Sequence, residues 1–125
     1  MGQKTEVMVL DDEPTVGERL KDYLEKKGMV VETFTDSQSA LERLAEKRFD
    51  VVITDLKMTG PTGLDVLVFV KNEHLPTQVI IITGYATMEA ARGAEIVGAM
   101  DFITKPFQMK DMHKLVLKAA KKARR

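Results

Sequence analysis

Short unbroken apolar runs alternate along this chain with stretches of helical period, and that rhythm admits few folds. Val7-Met8-Val9-Leu10, Val51-Val52-Ile53-Thr54 and Val79-Ile80-Ile81-Ile82 are continuous, without polar alternation. Such runs suit strands covered on both faces. Residues 29–34 and the short Phe102-Ile103 complete a set of five strand candidates. Between them, Val16, Leu20, Tyr23 and Leu24 keep helical spacing from Pro14 to about Lys27. Pro14 suits a first helical position and Gly28 a stop. Asp36 and Ser37 can cap a helix whose inner face is Ala40, Leu41, Leu44 and Ala45. A loop with Gly60, Pro61 and Gly63 leads to a helix carrying Leu64, Leu67 and Val68. An alanine-rich helix is expected from about Thr87 to Val97, interrupted by Gly93, and the last helix turns Met112, Leu115, Val116 and Ala119 to one side.

Strands alternating with helices of about 10–15 residues imply a parallel sheet, α/β in class, with helices on both faces. Crossovers in such sheets are right-handed, and ligands bind beyond the carboxyl ends of the strands. At 125 residues the chain suits one domain with one core. It is 44% hydrophobic and 30% charged, as in ordinary globular proteins. Basic and acidic residues balance at 19 each, so no global field recruits nucleic acid. With no cysteine, disulfides and thiolate chemistry are excluded. The amino terminus lacks a signal-peptide apolar region, and no stretch approaches the ~20 apolar residues of a membrane span. A soluble, cytoplasmic domain is the expectation.

The polar residues at the ends of the apolar runs carry the chemistry. Asp11 and Asp12 follow the first run, Asp55 the third and Thr83 the fourth, while Lys105 follows the short fifth. In a parallel sheet all five fall on one edge. Three bare carboxylates there would raise one another's pKa values. A hard divalent cation resolves the conflict; magnesium takes octahedral oxygen ligands, keeps several waters and pairs one or two carboxylates with phosphate oxygens. Asp12 and Asp55 are candidate direct ligands, Asp11 a holder of metal-bound water, and the backbone carbonyl of Lys57 a further oxygen. Phosphoryl transfer asks mainly for positioning and charge neutralisation. Asp55 is the candidate nucleophile, with Lys105 and Thr83 placed to receive phosphoryl oxygens, and the product is an aspartyl phosphate.

Each residue also has a plainer reading. Asp11, Asp12 and Glu13 suit the amino end of the helix beginning at Pro14, and Lys105-Pro106 suits a turn. Those readings must all hold at once while their positions coincide on one edge, so the site is preferred. The eight methionines read as core filler. His74 and His113 read as surface residues, not ligands. Lys121, Lys122, Arg124 and Arg125 read as complements to a helix carboxyl end or as the start of a linker from about residue 121.

Four stretches together, LDDEP, VVITDLKM, IIITGYAT and GAMDFITKPF, carry a family likeness. The sequence resembles the receiver domain of bacterial two-component response regulators over essentially all 125 residues. The resemblance implies a flavodoxin-like, doubly wound fold with five helices and strand order 2-1-3-4-5. It implies Asp55 as phosphoacceptor, Asp11 and Asp12 as magnesium-site acids (with manganese able to substitute), and Thr83 and Lys105 as the pair that reads the phosphoryl group. It also implies a cis Lys105-Pro106 bond. On phosphorylation Thr83 would move toward the phosphoryl group and Phe102 would turn inward, with no hydroxyl to mark its two positions. The helix containing Gly93 is the expected moving element. Lys57 and Tyr85 lie near positions that tune phosphoryl lifetime, and Tyr85 as a shield would slow self-hydrolysis. One departure is Thr59, where the family commonly has proline after Asp55-Leu56-Lys57-Met58.

By the same resemblance the donor is a histidine kinase. The readout is a face of the fourth and fifth helices and fifth strand, acting on an output domain or partner, with a transcriptional output expected because GYAT is similar to regulators driving ATP-dependent activators. A phosphorylation-dependent homodimer is a further expectation. Direct nucleic-acid or membrane binding is not expected, nor enzymatic activity beyond self-catalysed phosphorylation and slow autodephosphorylation. A phosphatase of the haloacid dehalogenase type would need a second acid two residues after its nucleophile, where Lys57 stands. A flavodoxin would need a hydroxyl-rich phosphate loop where Asp11-Asp12-Glu13 stands. A scaffold-only receiver would have no use for all five key residues.

Overall fold

A computed structural model describes residues 4–55, 63–83 and 98–124. Its strands are β1 (Glu6–Leu10), β2 (Val30–Phe34), β3 (Val51–Asp55), β4 (Gln78–Thr83) and β5 (Asp101–Thr104). Its helices among the described residues are α1 (Pro14–Lys26), α2 (Ser37–Glu46), α3 (Gly63–Asn72) and α4 (Met109–Ala123). The helix expected over 87–97, with Gly93, lies outside the described residues, as do Lys57, Thr59, Gly60, Pro61 and Tyr85.

The strands form one sheet in the order β2-β1-β3-β4-β5, with every pairing parallel. Neighbouring side chains in a strand point to opposite faces, and the core divides accordingly. Val7 and Val9 join Leu20 and Leu24 of α1 and Met112 and Val116 of α4. Met8 and Leu10 join Ala40 and Leu44 of α2 and Val66, Leu67 and Val70 of α3. All four residues 7–10 are fully buried, and each such side chain contributes roughly 1.5–3 kcal/mol through burial. This explains the unbroken apolar runs: neither face of β1 meets water.

Helix boundaries have local causes. Pro14 opens α1, and Gly28, at φ 86°, lets the chain leave it in a left-handed turn. Asp36 caps α2: its carboxylate accepts the Ser39 N–H at 2.9 Å and the Ser39 hydroxyl at 2.7 Å. Ser37 is the first residue of the helix, not its cap.

Three expectations are corrected. Ala45 is exposed, because α2 packs through Ala40 and Leu44, and one stripe suffices on a helix at the sheet's periphery. Val68 of α3 is 40% exposed, since Val66, Leu67 and Val70 already fill the interface. His113 is half-buried, edge-on to Tyr23 with ring centroids 6.3 Å apart, because α4 crosses α1 there. His74 is exposed, as read. Met8, Met29 and Met112 are buried, in keeping with a filler role.

Candidate functional site

Parallel register brings the carboxyl ends of the strands to one level. Leu10 pairs with Thr54, Asp55 with Ile82, and Thr83 with Thr104. The residues after β1 and β5, and the last residue of β3, therefore share one edge. Asp11 is almost fully buried there, and Asp12 is exposed. Asp55 keeps 15% of its side chain exposed.

One carboxylate oxygen from each of Asp11, Asp12 and Asp55 lies within 4.8 Å of the others. Lys105 reaches into this group. Its Nζ donates to Asp55 Oδ2 at 2.9 Å and lies 3.2 Å from Asp11 Oδ2 and 3.7 Å from Glu13 Oε1. Asp11 Oδ1 accepts the Glu13 N–H at 2.9 Å. Asp11 Oδ2 is buried and makes no hydrogen bond among the described residues; the Lys105 ammonium is close to it without hydrogen-bond geometry.

Electrostatics follow from this crowding. Burial pushes the Asp11 carboxyl above its ordinary value, against the Glu13 N–H and Lys105, which hold it down. Burial alone would lower Lys105, but the hydrogen bond to Asp55 and the charges of Asp11 and Asp55 prevail and raise it. Lys105 is therefore a fixed cation. Among the described residues the site nonetheless has more acid than base, and a buried carboxylate oxygen without a hydrogen bond is what a small hard cation would take up. The donor set fits magnesium: all oxygen, carboxylate-rich, and open on the Asp12 side.

The structure thus brings together Asp11, Asp12, Asp55 and Lys105. Thr83 ends β4, next to β3 at the same level. Lys105-Pro106 is cis, matching the expectation. Phe102, on β5, is half-buried against the α2–α3 side of the core. Lys57 and Tyr85 lie outside the described residues. Sequence reasoning missed Glu13 as a Lys105 neighbour, having given it only a helix-end role. It sits at the N-cap of α1 without a side-chain capping bond, and its adjacency to two site acids was the available signal. Also missed was a cavity of about 390 Å³ beside the cluster, lined by Val16, Arg19, Lys105, Pro106, Phe107 and Met109. Its walls come from α1 and the residues after β5, which no local pattern connects.

A doubly wound sheet with an acidic crevice at its carboxyl edge defines the flavodoxin-like class of α/β domains. Residues 7–117 match the sequence pattern of the response regulator receiver domain, and the chain belongs to that family. It is 31% identical over 116 residues to the response regulator protein PilR of Pseudomonas aeruginosa, covering 93% of this chain and 26% of PilR. It is 35% identical over 117 residues to the DNA-binding transcriptional regulator NtrC of Escherichia coli, covering 94% of this chain and 25% of NtrC. The chain therefore spans about a quarter of the length of these relatives. A receiver domain protein from Clostridium thermocellum superposes with TM-score 0.90 at 32% identity, covering 96% of this chain and 97% of that one. Full-length FixJ from B. japonicum superposes with TM-score 0.90 at 30% identity, covering 98% of this chain and 60% of FixJ. No helix among the described residues is long and apolar enough to cross a membrane.

Proposed function

We propose that this receiver domain accepts a phosphoryl group on Asp55 from the phosphohistidine of a histidine kinase and passes the change to a transcriptional output. The observation that carries this reading is the Lys105 Nζ–Asp55 Oδ2 hydrogen bond of 2.9 Å inside a cluster of acids. In the transfer, an Asp55 carboxylate oxygen bonds to phosphorus as the phosphorus–nitrogen bond of the donor breaks, and the electron pair returns to the imidazole. Lys105 exchanges its hydrogen bond with Asp55 for one with a phosphoryl oxygen, neutralising charge where it accumulates. Thr83 supplies a hydroxyl to another phosphoryl oxygen. Asp11, Asp12, Asp55 and the Lys57 carbonyl would hold magnesium, which supplies positive charge to the transferring group. The cavity lined by Lys105 would give a donor side chain a seat beside that lysine.

The readout is a face made by the segment 87–97, β5 and α4. Phosphorylation draws Thr83 in, and Phe102, with packing alone to distinguish its positions, follows. Residues 1–125 act as one receiver domain that switches an output domain or a partner, with a homodimer as one form of readout. Intact mass after incubation with magnesium and acetyl phosphate tests the acceptor. One phosphoryl adduct is expected, absent without magnesium and absent in Asp55→Asn. An adduct that survives Asp55→Asn would overturn the assignment. Hydrogen exchange tests the switch: phosphorylation is expected to change protection over residues 86–98. Tyr85→Ala is expected to speed loss of the adduct if Tyr85 shields it.

A further inference from the structure

The cations of this chain are treated in two different ways. On α1, Lys21 pairs with Glu25 and Lys26 with Asp22, while Arg19 makes no ion pair among the described residues; on α2 Arg43 pairs with Glu32, and just after it Lys47 pairs with Glu6 and Glu32. The five lysines of α4 (Lys110, Lys114, Lys118, Lys121 and Lys122) make no ion pair among the described residues. Asp111 is the sole acid on that helix. Lys121 and Lys122 sit in its last turn, where the helix dipole accounts for them. That account does not reach Lys118, nor Leu117, which is 49% exposed.

Leu117 and Lys118 border a groove of about 540 Å³, lined also by Thr5, Ala120, Lys121 and Arg124. Arg124 is occupied, lying 3.2 Å from the Thr5 hydroxyl and 3.4 Å from Asp50 Oδ2. It closes one end and braces α4 against the start of β1. The floor is aliphatic and the rim cationic. The groove lies at the amino edge of the sheet, opposite the acid cluster.

We propose that this groove docks an acidic protein segment, seating one aliphatic side chain on Leu117 and Ala120 and setting carboxylates against Lys118 and Lys121. Charge complementarity identifies the occupant. Nucleic acid fits less well: the lining offers no aromatic platform for bases, and the chain's net charge of zero gives no long-range field for a polyanion. A membrane surface fits less well too, since Leu117 is the one large exposed apolar side chain on α4 among the described residues, too little to insert.

The test is an amide-shift titration of the labelled domain with a synthetic glutamate-rich peptide carrying two leucines one helical turn apart. Shifts are expected at Thr5, Leu117, Ala120 and Lys121. The Lys118→Glu/Lys121→Glu variant is expected to weaken binding about tenfold at low salt. Leu117→Ser, an exposed position that leaves folding intact, is expected to weaken it independently of charge, and it decides the matter should the double variant fold poorly. The proposal is overturned by an absence of shifts at the groove or by unchanged affinity in these variants. It is equally overturned if a short DNA duplex or phosphatidylserine vesicles bind as tightly as the peptide in the same buffer.

Discussion

The two edges of the sheet handle charge in opposite ways. Toward the amino edge, Lys47 lies 2.9 Å from Glu6 and 2.8 Å from Glu32, and Arg43 adds a second cation at 2.9 Å from Glu32. Two cations serve three carboxylates, since Glu46 also lies 3.8 Å from Arg43. Asp50 Oδ2 accepts the Glu6 N–H at 2.8 Å, and the buried Thr77 hydroxyl donates to the Phe49 carbonyl at 2.6 Å. At the carboxyl edge one cation among the described residues, Lys105, faces Asp11, Glu13 and Asp55, with Asp12 alongside. Around Glu32 the charges of the amino edge are paired, whereas among the described residues the carboxyl edge holds an excess of acid that a ligand can resolve. Removing a hydrogen-bonding or ion-pair partner at the amino edge should therefore destabilise, whereas removing a carboxylate at the carboxyl edge should stabilise.

The largest effect is expected at Thr77. Thr77→Val keeps the shape and removes the hydroxyl, leaving the Phe49 carbonyl without that donor, at a cost of about 2 kcal/mol. Urea unfolding measures it. A neutral result would mean that the amino edge gains nothing from its hydrogen bonds.

Asp11→Asn should act in the other direction. Because the folded carboxyl is raised, chiefly by burial, Asp11 favours folding only below its ordinary value of 3.8 and opposes it once pH rises through the raised one. At neutral pH its charge is a net cost. Without divalent metal the variant should be more stable by about 1.5 kcal/mol, the scale of a poorly compensated buried charge. Melting in chelator and again in magnesium separates the two roles: the native chain should gain stability from magnesium and the variant little. Loss of stability in chelator would place Asp11 among the structural residues.

Much of this was legible in the sequence. The fully buried runs of β1, β3 and β4 announced themselves because no polar residue interrupts them, and the site acids because each follows such a run. Lys105-Pro106 was legible from GAMDFITKPF. What escaped depends on distant packing. Asp50 and Arg124 are 74 residues apart, and Thr77 and Phe49 are 28 apart. Arg124 read as a helix-end cation because its partners arrive through the fold. Ala45 and Val68 were misassigned because helical periodicity gives an apolar stripe but not its width, which the neighbouring elements decide.

A third prediction concerns pH. The Arg43 hydrogen bonds, with help from Lys47, lower Glu32 to about 2 from 4.5. Its contribution is present above 4.5 and is lost as pH falls toward 2. The pair is partly solvated, so screening reduces its worth to about 1 kcal/mol. Stability measured across that window should fall less steeply in Glu32→Gln. Equal slopes would show that the network of Glu6, Glu32, Arg43 and Lys47 does not stabilise the amino edge.

The smallest effect lies where the amino edge carries its own strain. His74 follows α3 at φ 52°, a conformation that favours glycine. The N–H groups of Glu73, His74 and Leu75 close the helix on Phe69, Lys71 and Val70 carbonyls, so the backbone is held there by three bonds whatever the side chain. His74→Gly relieves the left-handed strain but enlarges the unfolded ensemble, and the difference should stabilise by about 0.5 kcal/mol. Thermal melting reads the gain, and adduct formation at Asp55 should be unchanged because the residue is at the opposite edge. If the variant is less stable, the imidazole contributes more than its backbone costs, and the amino edge is satisfied through that turn as well.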